Sequence, residues 1–415
     1  MREVHRAIAD AIYQSDRFAP MMEKILARRL PSTGRKIAVA GSGPTGLTAA
    51  FYLAMLGHDV TIFEERNEAG GMLRFAIPEY RLPKSVLRRE LDLIEGVGVK
   101  MVFNTRVGFD LPLNDIAASY DAVLLSIGTW KESWLYLPGT ELKNVYPALP
   151  FLENVACNVK VKLGPRVAII GGGNAAIDSA RTALRMGSQA TILYRRERKD
   201  MPAIDEEIQA AEEEGVRFVF LAAPHRILGD AEGNVKGIET VKTRLGEYDK
   251  SGRRRPVPTD SIQRLECDSV ILAVGETFDL DFCKASGLAL QDEGTLSVDR
   301  FTLETSRPGF YAGGDIITGA SNVSNAMAGG KQAALNIDKR LMGESQWERL
   351  FPEFEYSRQA PGEPSLSRRH KAQALPPGAR ARTQQEVVAG LSPQEALEEC
   401  RRCLRCDLHA PTGGQ

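Results

Sequence analysis

The chain has 415 residues, of which 43% are hydrophobic and 26% charged, a composition typical of globular proteins and too apolar for a disordered chain. At roughly 100–200 residues per domain, this length predicts two to four domains. The 53 basic and 54 acidic residues give a net charge of −1, which excludes an overall field that attracts nucleic acid or an anionic membrane. No apolar run reaches the roughly 18 residues of a membrane span, and the charged start lacks a signal peptide's apolar stretch, so we expect a cytoplasmic protein.

Helices and strands alternate over most of the chain. Residues 3–29 have apolar side chains at helical spacing and predict one or two amphipathic helices. From there to about residue 340 the alternation favours α/β sheets with largely parallel strands. Two segments, 36–65 and 166–196, repeat the order strand, glycine turn, helix, strand. They predict two dinucleotide sites on one chain.

The first repeat contains a complete glycine fingerprint between a strand and a helix. Gly41 permits the tight turn, Gly43 lets a pyrophosphate approach the backbone, and Gly46 lets helix and strand pack closely. The helix that begins near Pro44 and Thr45 supplies amide donors for phosphates. At the end of the second strand, Glu64 can accept hydrogen bonds from a ribose. The alternative is a glycine turn that only packs.

A second motif favours FAD over NAD at this site. Residues 310–315 form a predicted strand that ends in Gly314 and Asp315. They resemble the second FAD motif of two-dinucleotide flavoproteins, in which the aspartate binds the ribityl chain. A nicotinamide site needs no such motif so far along the chain. The alternative is that Asp315 is an ordinary helix N-cap.

The second repeat has alanine at the third glycine position, which is a permitted variant. Its predicted pyrophosphate contacts are Gly171, Gly173, Asn174, Ala175 and Ala176.

The end of the second strand in this repeat indicates the cofactor. Alignment of the two repeats puts Tyr194 opposite Glu64, followed by Arg195 and Arg196. The acid that would hold a free ribose 2′-hydroxyl is missing, and two guanidinium groups stand where a 2′-phosphate would lie. NADP(H) is therefore favoured over NAD(H). The alternative is a solvated, charged strand end.

Six cysteines are too few for a disulfide scaffold, but three of them form a motif. Cys400, Cys403 and Cys406 have the spacing of a bacterial ferredoxin whose last cysteine is replaced by alanine, and they predict three ligands of a [4Fe–4S] cluster. The fourth ligand could come from a partner, Asp407, His409 or a distant cysteine. The alternatives are zinc held by three cysteines and a histidine, and cysteines that act only as small apolar residues.

The segment before these cysteines has a different composition. After about residue 350 the chain is rich in Pro, Arg, Ser and Gln without periodicity, which predicts a flexible or extended tether. Ser392, Pro393 and Glu395 then predict an N-capped helix that carries the cysteines.

Several further motifs identify a family. They are residues 70–73, 77–83, 171–181, 194–196 with 201–203, and 312–315. Together they resemble the glutamate synthase small-subunit family of FAD- and NADPH-binding flavoproteins, which includes the large subunits of bifurcating ferredoxin:NADP oxidoreductases. The resemblance covers roughly residues 30–342.

The resemblance implies two Rossmann-like domains, with the NADPH domain inserted into the FAD domain. The boundaries that we predict are 1–34 for the N-terminal helices, 35–150 and 276–345 for the FAD domain, 151–275 for the NAD(P)H domain, 346–391 for a linker and 392–415 for the cysteine motif. Further FAD contacts implied by the resemblance are Gly71, Met72, Leu73, Arg81, Val107 and Gly128. Further NADPH contacts are Asp178 and Gly275.

The chain departs from the family in the placement of cysteines. The family usually carries an N-terminal iron–sulfur module, whereas residues 1–30 contain no cysteine and a similar string occurs at 395–406. Disulfide reductases of the wider superfamily have a cysteine pair beside the flavin or in the nicotinamide domain, and neither region has one here. Electrons must therefore leave the flavin by another route.

The resulting prediction is an α/β oxidoreductase in which hydride passes from NADPH to FAD and single electrons pass to an iron–sulfur protein or another redox subunit. The reverse direction is equally compatible with the sequence. No side-chain acid or base is predicted to be catalytic, because direct hydride transfer needs none. The alternative is a non-catalytic flavoprotein subunit that docks the partners of a larger redox complex. Neither nucleic acid nor a membrane is an expected partner.

Overall fold

The computed structural model describes residues 2–402 apart from 134, 250–251, 278, 280–281, 283–285, 293 and 351–366. The chain begins with two helices, α1 (Arg2–Tyr13) and α2 (Phe18–Leu26), as the helical spacing predicts.

A five-stranded parallel sheet contains the first repeat. In spatial order its strands are β15 (Phe310–Ala312), β4 (Ala122–Leu125), β1 (Lys36–Ala40), β2 (Asp59–Phe63) and β3 (Lys100–Val102). The helices of this part are α3 (Pro44–Met55), α4 (Met72–Phe75), α5 (Lys84–Gly96), α6 (Leu113–Ser119), α10 (Asp315–Thr318), α11 (Val323–Met342) and α12 (Trp347–Leu350). Because β15 lies far along the chain from β4, the domain is split in sequence.

Both faces of this sheet are buried. Along β1, Ile37 and Val39 pack into the core on one face, and Ala38 and Ala40 pack into the core on the other. Parallel strands covered on both sides are expected to be apolar throughout, as this strand is.

A second five-stranded parallel sheet contains the second repeat. In spatial order its strands are β6 (Val145–Pro147), β13 (Ser269–Leu272), β7 (Arg166–Ile170), β8 (Gln189–Tyr194) and β9 (Arg217–Phe220). Its helices are α7 (Ala148–Ala156), α8 (Asn174–Arg185), a short 3₁₀ helix (Arg198–Asp200) and α9 (Asp205–Glu214).

Two antiparallel sheets complete the inserted domain. One consists of β10 (Ala222–Gly229), β11 (Val235–Tyr248) and β12 (Arg254–Leu265); we refer to β11, β12 and the turn between them as the hairpin arm. The other joins β5 (Lys131–Glu132) to β14 (Glu276–Thr277), where the chain passes between the two domains. The predicted fold class, with one Rossmann-like domain inserted into another, is confirmed, while the residue boundaries of the domains stay predictions.

The described part of the predicted tether differs from what its composition predicts. Residues 367–391, which we name the C-terminal strap, contain α13 (Pro377–Arg380) and pack against both domains. The Val387 amide donates to the Tyr80 carbonyl at 3.1 Å, and Arg185 Nε donates to the Thr383 carbonyl at 2.9 Å. The strap is therefore not a free tether, because a few buried anchors hold it despite its polar composition.

The helix after the strap, α14 (Pro393–Arg401), begins as predicted. The Ser392 hydroxyl accepts from the Glu395 amide and the Glu395 carboxylate accepts from the Ser392 amide, which is a capping box. This region rests on α1, where Leu391 and Ala396 are buried against Ala7. No helix within the described residues is long and apolar enough to cross a membrane.

Candidate dinucleotide-binding cleft

Of the three fingerprint glycines in the first turn, only one faces open space. Gly41 has φ +93°, and a Cβ there would lie 2.7 Å from the Ser126 carbonyl oxygen. At Gly46 a Cβ would lie 2.0 Å from the Gly41 carbonyl oxygen. At Gly43, the N-cap of α3, it would meet nothing within 4 Å. The turn therefore leaves room for a phosphate at the helix N-terminus.

Glu64 organises the same turn. Its Oε2 accepts from the Ser42 amide at 2.9 Å and from the Ser42 hydroxyl at 2.5 Å, while its Oε1 accepts from the Arg66 amide at 2.9 Å. The carboxylate is buried directly after β2 and lines the cleft. Since a carboxylate has about four acceptor positions, it can also bind a ribose hydroxyl.

The motif at the end of β15 packs onto the first turn. Gly314 has φ +76°, and a Cβ there would lie 2.2 Å from Thr45 Oγ1. Gly314, and not Asp315, is the N-cap of α10, which removes the alternative that Asp315 is an ordinary N-cap. The Asp315 carboxylate accepts from Ser321 Oγ at 2.7 Å and lines the cleft. Burial raises the pKa of Asp315, although the hydrogen bond from Ser321 opposes the shift.

The cleft has a volume of about 550 Å³ and lies between the carboxyl ends of the first sheet and the N-terminus of α8. Most of the predicted contacts line it, namely Gly41, Gly43, Pro44, Thr45, Glu64, Gly71, Met72, Arg81, Val107, Gly128, Asn174, Ala175, Asp178 and Asp315. The predicted contacts outside its lining are Gly46, Leu73, Gly171, Gly173, Ala176, Arg195, Arg196, Gly275 and Gly314. Gly46 and Gly314 instead permit close packing behind the lining.

Thr129 also lines the cleft, although no sequence motif predicted it. Its side chain is 1% exposed, and within the described part of the chain its Oγ1 has no hydrogen-bond partner. A buried hydroxyl without a partner is costly, so a polar ligand in the cleft would satisfy it. The open space at Gly43 and this hydroxyl together fit a bound dinucleotide such as FAD. The only sequence signal was its position after Gly128.

The second glycine turn has the same construction as the first. Gly171 has φ +146°, and a Cβ there would lie 2.1 Å from the Ala273 carbonyl oxygen. At Gly173, the N-cap of α8, a Cβ would meet nothing within 4 Å. Asn174 Oδ1 accepts from the Ile204 amide at 3.1 Å, which fixes the start of the helix. This turn also leaves room for a phosphate.

The two arginines after β8 differ in their surroundings. Arg196 is 4% exposed, and its guanidinium binds Asp249 Oδ2 at 2.6 Å and the Arg254 carbonyl oxygen at 2.7 Å. Arg195 is exposed. Partial burial, followed by the positive charge of Arg196, lowers the pKa of Arg195. The two arginines look equivalent in the sequence, but Arg196 is held by hydrogen bonds and an ion pair, whereas Arg195 is exposed.

Arg81 and Asp178 were assigned to different cofactors, yet they bind each other. Arg81 Nη1 lies 2.8 and 2.7 Å from the two oxygens of Asp178, and Arg81 Nε lies 3.2 Å from Glu207. Arg81 belongs to the FAD-side segment 77–83, whereas Asp178 is in α8. Burial raises the pKa of Asp178, and the Arg81 charge opposes the shift.

Next to this pair, Tyr80 is fully buried between two further arginines. The Arg181 and Arg185 guanidinium carbons lie 4.8 and 3.7 Å from the centre of its ring. Both arginines bind Glu214, Arg181 at 2.7 Å and Arg185 at 2.7 Å. We name these groups, with Arg81, Asp178 and Glu207, the interdomain ion network. The members of this network come from three separate segments, so no sequence motif predicted it.

Two carboxyl groups face each other where the chain crosses between the domains. Glu132 in β5 pairs directly with Glu276 in β14, and Glu276 lines the cleft. Burial raises the pKa of each to about 7; the charge of Glu276 adds to the shift at Glu132, and that of Asp315 adds to the shift at Glu276. The Leu149 amide donates to Glu132 Oε1 at 2.7 Å and opposes the shift there. Because Glu132 and Glu276 are far apart along the chain, no sequence pattern predicted that they would meet.

The cysteine motif lies mostly outside the described residues. Cys400 is in α14 and is exposed, whereas Cys403 and Cys406 are not among the described residues. In the described part of the chain, no three His, Cys, Asp or Glu side chains form a group that could hold a metal ion. The iron–sulfur assignment stays a prediction.

Comparisons with known proteins agree with this architecture. Residues 35–330 match the model of the pyridine nucleotide-disulphide oxidoreductase family. The structure of Mycobacterium tuberculosis FprA in complex with NADPH has a TM-score of 0.64 at 20% sequence identity, covering 75% of this chain and 85% of that one. This likeness shows a common fold.

Two curated relatives define the branch of the family. The chain is 39% identical over 389 residues to the NADP(+)-dependent formate dehydrogenase subunit beta of Moorella thermoacetica, covering 90% of this chain and 55% of that protein. It is 35% identical over 325 residues to the glutamate synthase (NADPH) small chain of Escherichia coli, covering 74% of this chain and 68% of that protein. The chain thus spans only about half of the first relative. It belongs to the pyridine nucleotide-disulphide oxidoreductase family, in the branch of the glutamate synthase small chains, as its motifs predict.

Proposed function

We propose that this chain is an FAD-dependent subunit that passes electrons between NADPH and an iron–sulfur partner protein. The observation that carries this proposal is that residues of both glycine turns line one cleft, Gly43 and Thr45 from the first and Asn174 and Ala175 from the second. Dinucleotides bound at the two turns can therefore extend into the same space. Hydride transfer requires the reacting rings to meet in this way.

The described residues divide between the two nucleotides. At the first turn, Gly43 and the α3 N-terminus accommodate the pyrophosphate of FAD, Glu64 accepts from its ribose and Asp315 binds its ribityl chain. At the second turn, the α8 N-terminus binds the pyrophosphate of NADPH and Arg195 reaches its 2′-phosphate. FAD, when bound, supplies a ring that accepts hydride and releases electrons singly. No side chain is assigned as an acid or base.

The names of the relatives support NADPH and a place in a complex. One is an NADP(+)-dependent formate dehydrogenase subunit beta, and the other is the small chain of an NADPH glutamate synthase. We extend both features to this chain. We further propose that Cys400, Cys403 and Cys406 hold a [4Fe–4S] cluster whose fourth ligand comes from the partner, since three thiolates leave one iron exposed.

Anaerobic titration of the FAD-loaded chain tests the proposal. We expect NADPH to bleach the flavin absorbance stoichiometrically and NADH to require a higher concentration. Oxidised [4Fe–4S] ferredoxin should then restore the flavin spectrum. If NADPH left the flavin oxidised, the electron-transfer proposal would be wrong and a docking subunit would remain.

Iron and acid-labile sulfide analysis of the anaerobically purified chain tests the cluster. Replacement of all three motif cysteines by serine should remove the iron but retain FAD and its reduction by NADPH. Cys157→Ser, at an exposed cysteine outside the motif, is the control. Zinc in place of iron would contradict the assignment.

A further inference from the structure

One side chain in the wall of the cleft carries a hydrogen-bonding group that none of the dinucleotide motifs includes. Thr129 lines the cleft, is 1% exposed, and its Oγ1 makes no hydrogen bond to any of the described residues. A hydroxyl buried in this way loses its bonds to water and gains none in exchange, which costs free energy. Because buried polar side chains nearly always have a partner, an unpaired hydroxyl that lines a binding cleft indicates a ligand.

The backbone on both sides of Thr129 is fixed by hydrogen bonds. Before it, the amide and the hydroxyl of Ser126 both donate to the Ala40 carbonyl oxygen at 2.9 Å, which ties the segment to the end of β1. After it, Lys131 in β5 pairs with Thr277 in β14. The segment therefore cannot shift to give the hydroxyl a protein partner without breaking these contacts.

The order of strands in the first sheet shows which part of FAD passes Thr129. At the carboxyl edge of this parallel sheet, β1 leads to the turn with Gly43, and β15 leads to Asp315. The strand β4, which precedes Thr129, lies directly between β1 and β15. Ligands of such sheets bind outside the carboxyl ends of the strands. FAD with its pyrophosphate at Gly43 and its ribityl chain at Asp315 therefore crosses the end of β4.

The chemistry of this part of the cofactor suits a threonine hydroxyl. The pyrophosphate carries acceptor oxygens, and the ribityl chain carries hydroxyl groups that both donate and accept. The Asp315 carboxylate, when ionised, can only accept, whereas the Thr129 hydroxyl can also donate. Thr129 thus supplies a donor on the side of the cofactor where the motif supplies an acceptor.

We propose that Thr129 Oγ1 hydrogen-bonds to an oxygen of FAD between its pyrophosphate and its flavin ring, and so holds the flavin half of the cofactor in the cleft. The inference rests on the proposed function in taking FAD as the ligand of the first turn. It assigns a binding role to a residue outside the glycine fingerprint and outside the motif with Asp315. Because the bond lies away from the ring, it stabilises oxidised and reduced FAD equally.

Thr129→Val tests this role, because valine removes the hydroxyl and nearly keeps the shape of the side chain. We expect the dissociation constant of FAD to rise by about 3- to 10-fold, the effect of one neutral hydrogen bond. Dilution of the FAD-loaded chain, followed by the fluorescence of the released flavin, measures this constant. Thr129→Ser keeps the hydroxyl and should bind FAD within about 2-fold of the wild type.

Thr295→Val is the matched control. The Thr295 hydroxyl is also buried and has no partner among the described residues, but Thr295 does not line the cleft. This variant should bind FAD like the wild type. Without FAD, Thr129→Val should melt no lower than the wild type, because the hydroxyl that it removes makes no bond to the described chain. Added FAD should raise its melting temperature less than it raises that of the wild type.

Four results would contradict these assignments in different ways. Wild-type FAD affinity in Thr129→Val would overturn the inference. A lower melting temperature of this variant without FAD would show that the hydroxyl serves the fold instead. A changed reduction potential of its bound flavin would contradict a bond away from the ring, whereas an unchanged potential supports it. A wild-type chain that binds no FAD would instead contradict the proposed function.

Discussion

Gly43 and Gly46 are three residues apart in one turn, yet a side chain added at each would meet different surroundings. Gly43 has φ −70° and ψ 179°, which any residue can adopt, and its Cβ would enter the cleft. At Gly46 the Cβ would lie 2.0 Å from the Gly41 carbonyl oxygen. One position therefore faces open space in the cleft, and the other is filled by packing.

This difference predicts separable effects of substitution. Gly43→Val should yield a folded, colourless protein, because its side chain occupies the pyrophosphate space. Gly46→Val should lower the melting temperature of the FAD-free protein by several degrees, since helix and strand must move apart. Flavin absorbance and thermal melting of FAD-free samples measure the two effects. A yellow Gly43→Val protein with full FAD content would refute the first-site assignment.

The Glu132–Glu276 pair predicts a pH dependence of stability. The pKa of each rises from 4.5 to about 7 in the folded state, so between these values the folded chain binds more protons than the unfolded chain. Stability should therefore fall as pH rises through this window. Glu276→Gln should stabilise the protein by about 1–3 kcal/mol at pH 8 and by much less at pH 5.

Thermal melting at the two pH values measures this effect. Glu206→Gln, at an exposed position in α9, is the control and should change neither value. An equal effect of Glu276→Gln at pH 5 and pH 8 would show that the carboxyl does not titrate in the window.

For single residues, only the roles that depend on neighbouring residues in the chain could be predicted. The tight turn at Gly41 and the close packing at Gly46 follow from backbone geometry within one turn, so the motif was sufficient to predict them. Arg195 and Arg196 are identical in type and adjacent in sequence. Only the arrival of Asp249 from the hairpin arm distinguishes the engaged guanidinium from the accessible one.

Among the elements, the C-terminal strap depends on one buried arginine. Arg380 is 5% exposed and binds Glu213, with Glu214 at 4.0 Å. It connects α13 to α9, and Val387 fixes the strap to Tyr80 further on. The Arg380 side chain is buried, whereas that of Glu213 is 40% exposed, so water can still solvate Glu213 when Arg380 is removed.

Arg380→Ala should therefore release the strap. We expect a loss of about 1–2 kcal/mol in unfolding free energy, from the lost ion pair and packing of Arg380, and rapid thermolysin cleavage between residues 367 and 391. Arg382→Ala, at an exposed neighbouring position, should leave both unchanged. A protease-resistant strap in Arg380→Ala would mean that its remaining contacts are sufficient.

Prediction of elements succeeded where the signal is local. The capping box of α14 follows from four consecutive residues and is confirmed. The packing of residues 367–391 against the two domains could not be predicted from composition. Composition shows that the segment has few apolar residues, but it does not show which buried side chains hold the segment in place. Arg380 and Val387 meet partners in α9 and in the segment 77–83.

For the whole molecule, the interdomain ion network connects the two dinucleotide domains. Arg81 comes from the FAD side, and Asp178 and Glu207 come from the inserted domain. A buried ion pair can be nearly neutral in net stability, yet loss of one partner is costly. We therefore expect the network to determine how the domains meet more than it stabilises either one.

A double-mutant cycle on Arg81 and Asp178 measures this coupling. Arg81→Ala alone should cost about 3–5 kcal/mol, and Arg81→Ala with Asp178→Ala should cost clearly less than the sum of the single changes. Arg88 and Asp92, an exposed pair in α5, provide the matched cycle, with an expected coupling of at most about 0.5 kcal/mol. Additive effects at Arg81 and Asp178 would show that the pair does not couple the domains.

The domain plan could be predicted because the repeats at 36–65 and 166–196 are continuous in sequence and the family motifs order them. The contacts between the domains could not be predicted, because Arg81, Asp178 and Glu207 carry no shared local pattern. Their association depends on how the insertion is oriented, and that orientation is a property of the assembled fold.

The contact between α14 and α1 makes the two ends of the described chain neighbours, through Ala7, Leu391 and Ala396. Ala7 and Ala396, which are far apart along the chain, thus lie together in the fold. Order along the chain and position in space are therefore independent here, and the helix that carries Cys400 packs beside α1.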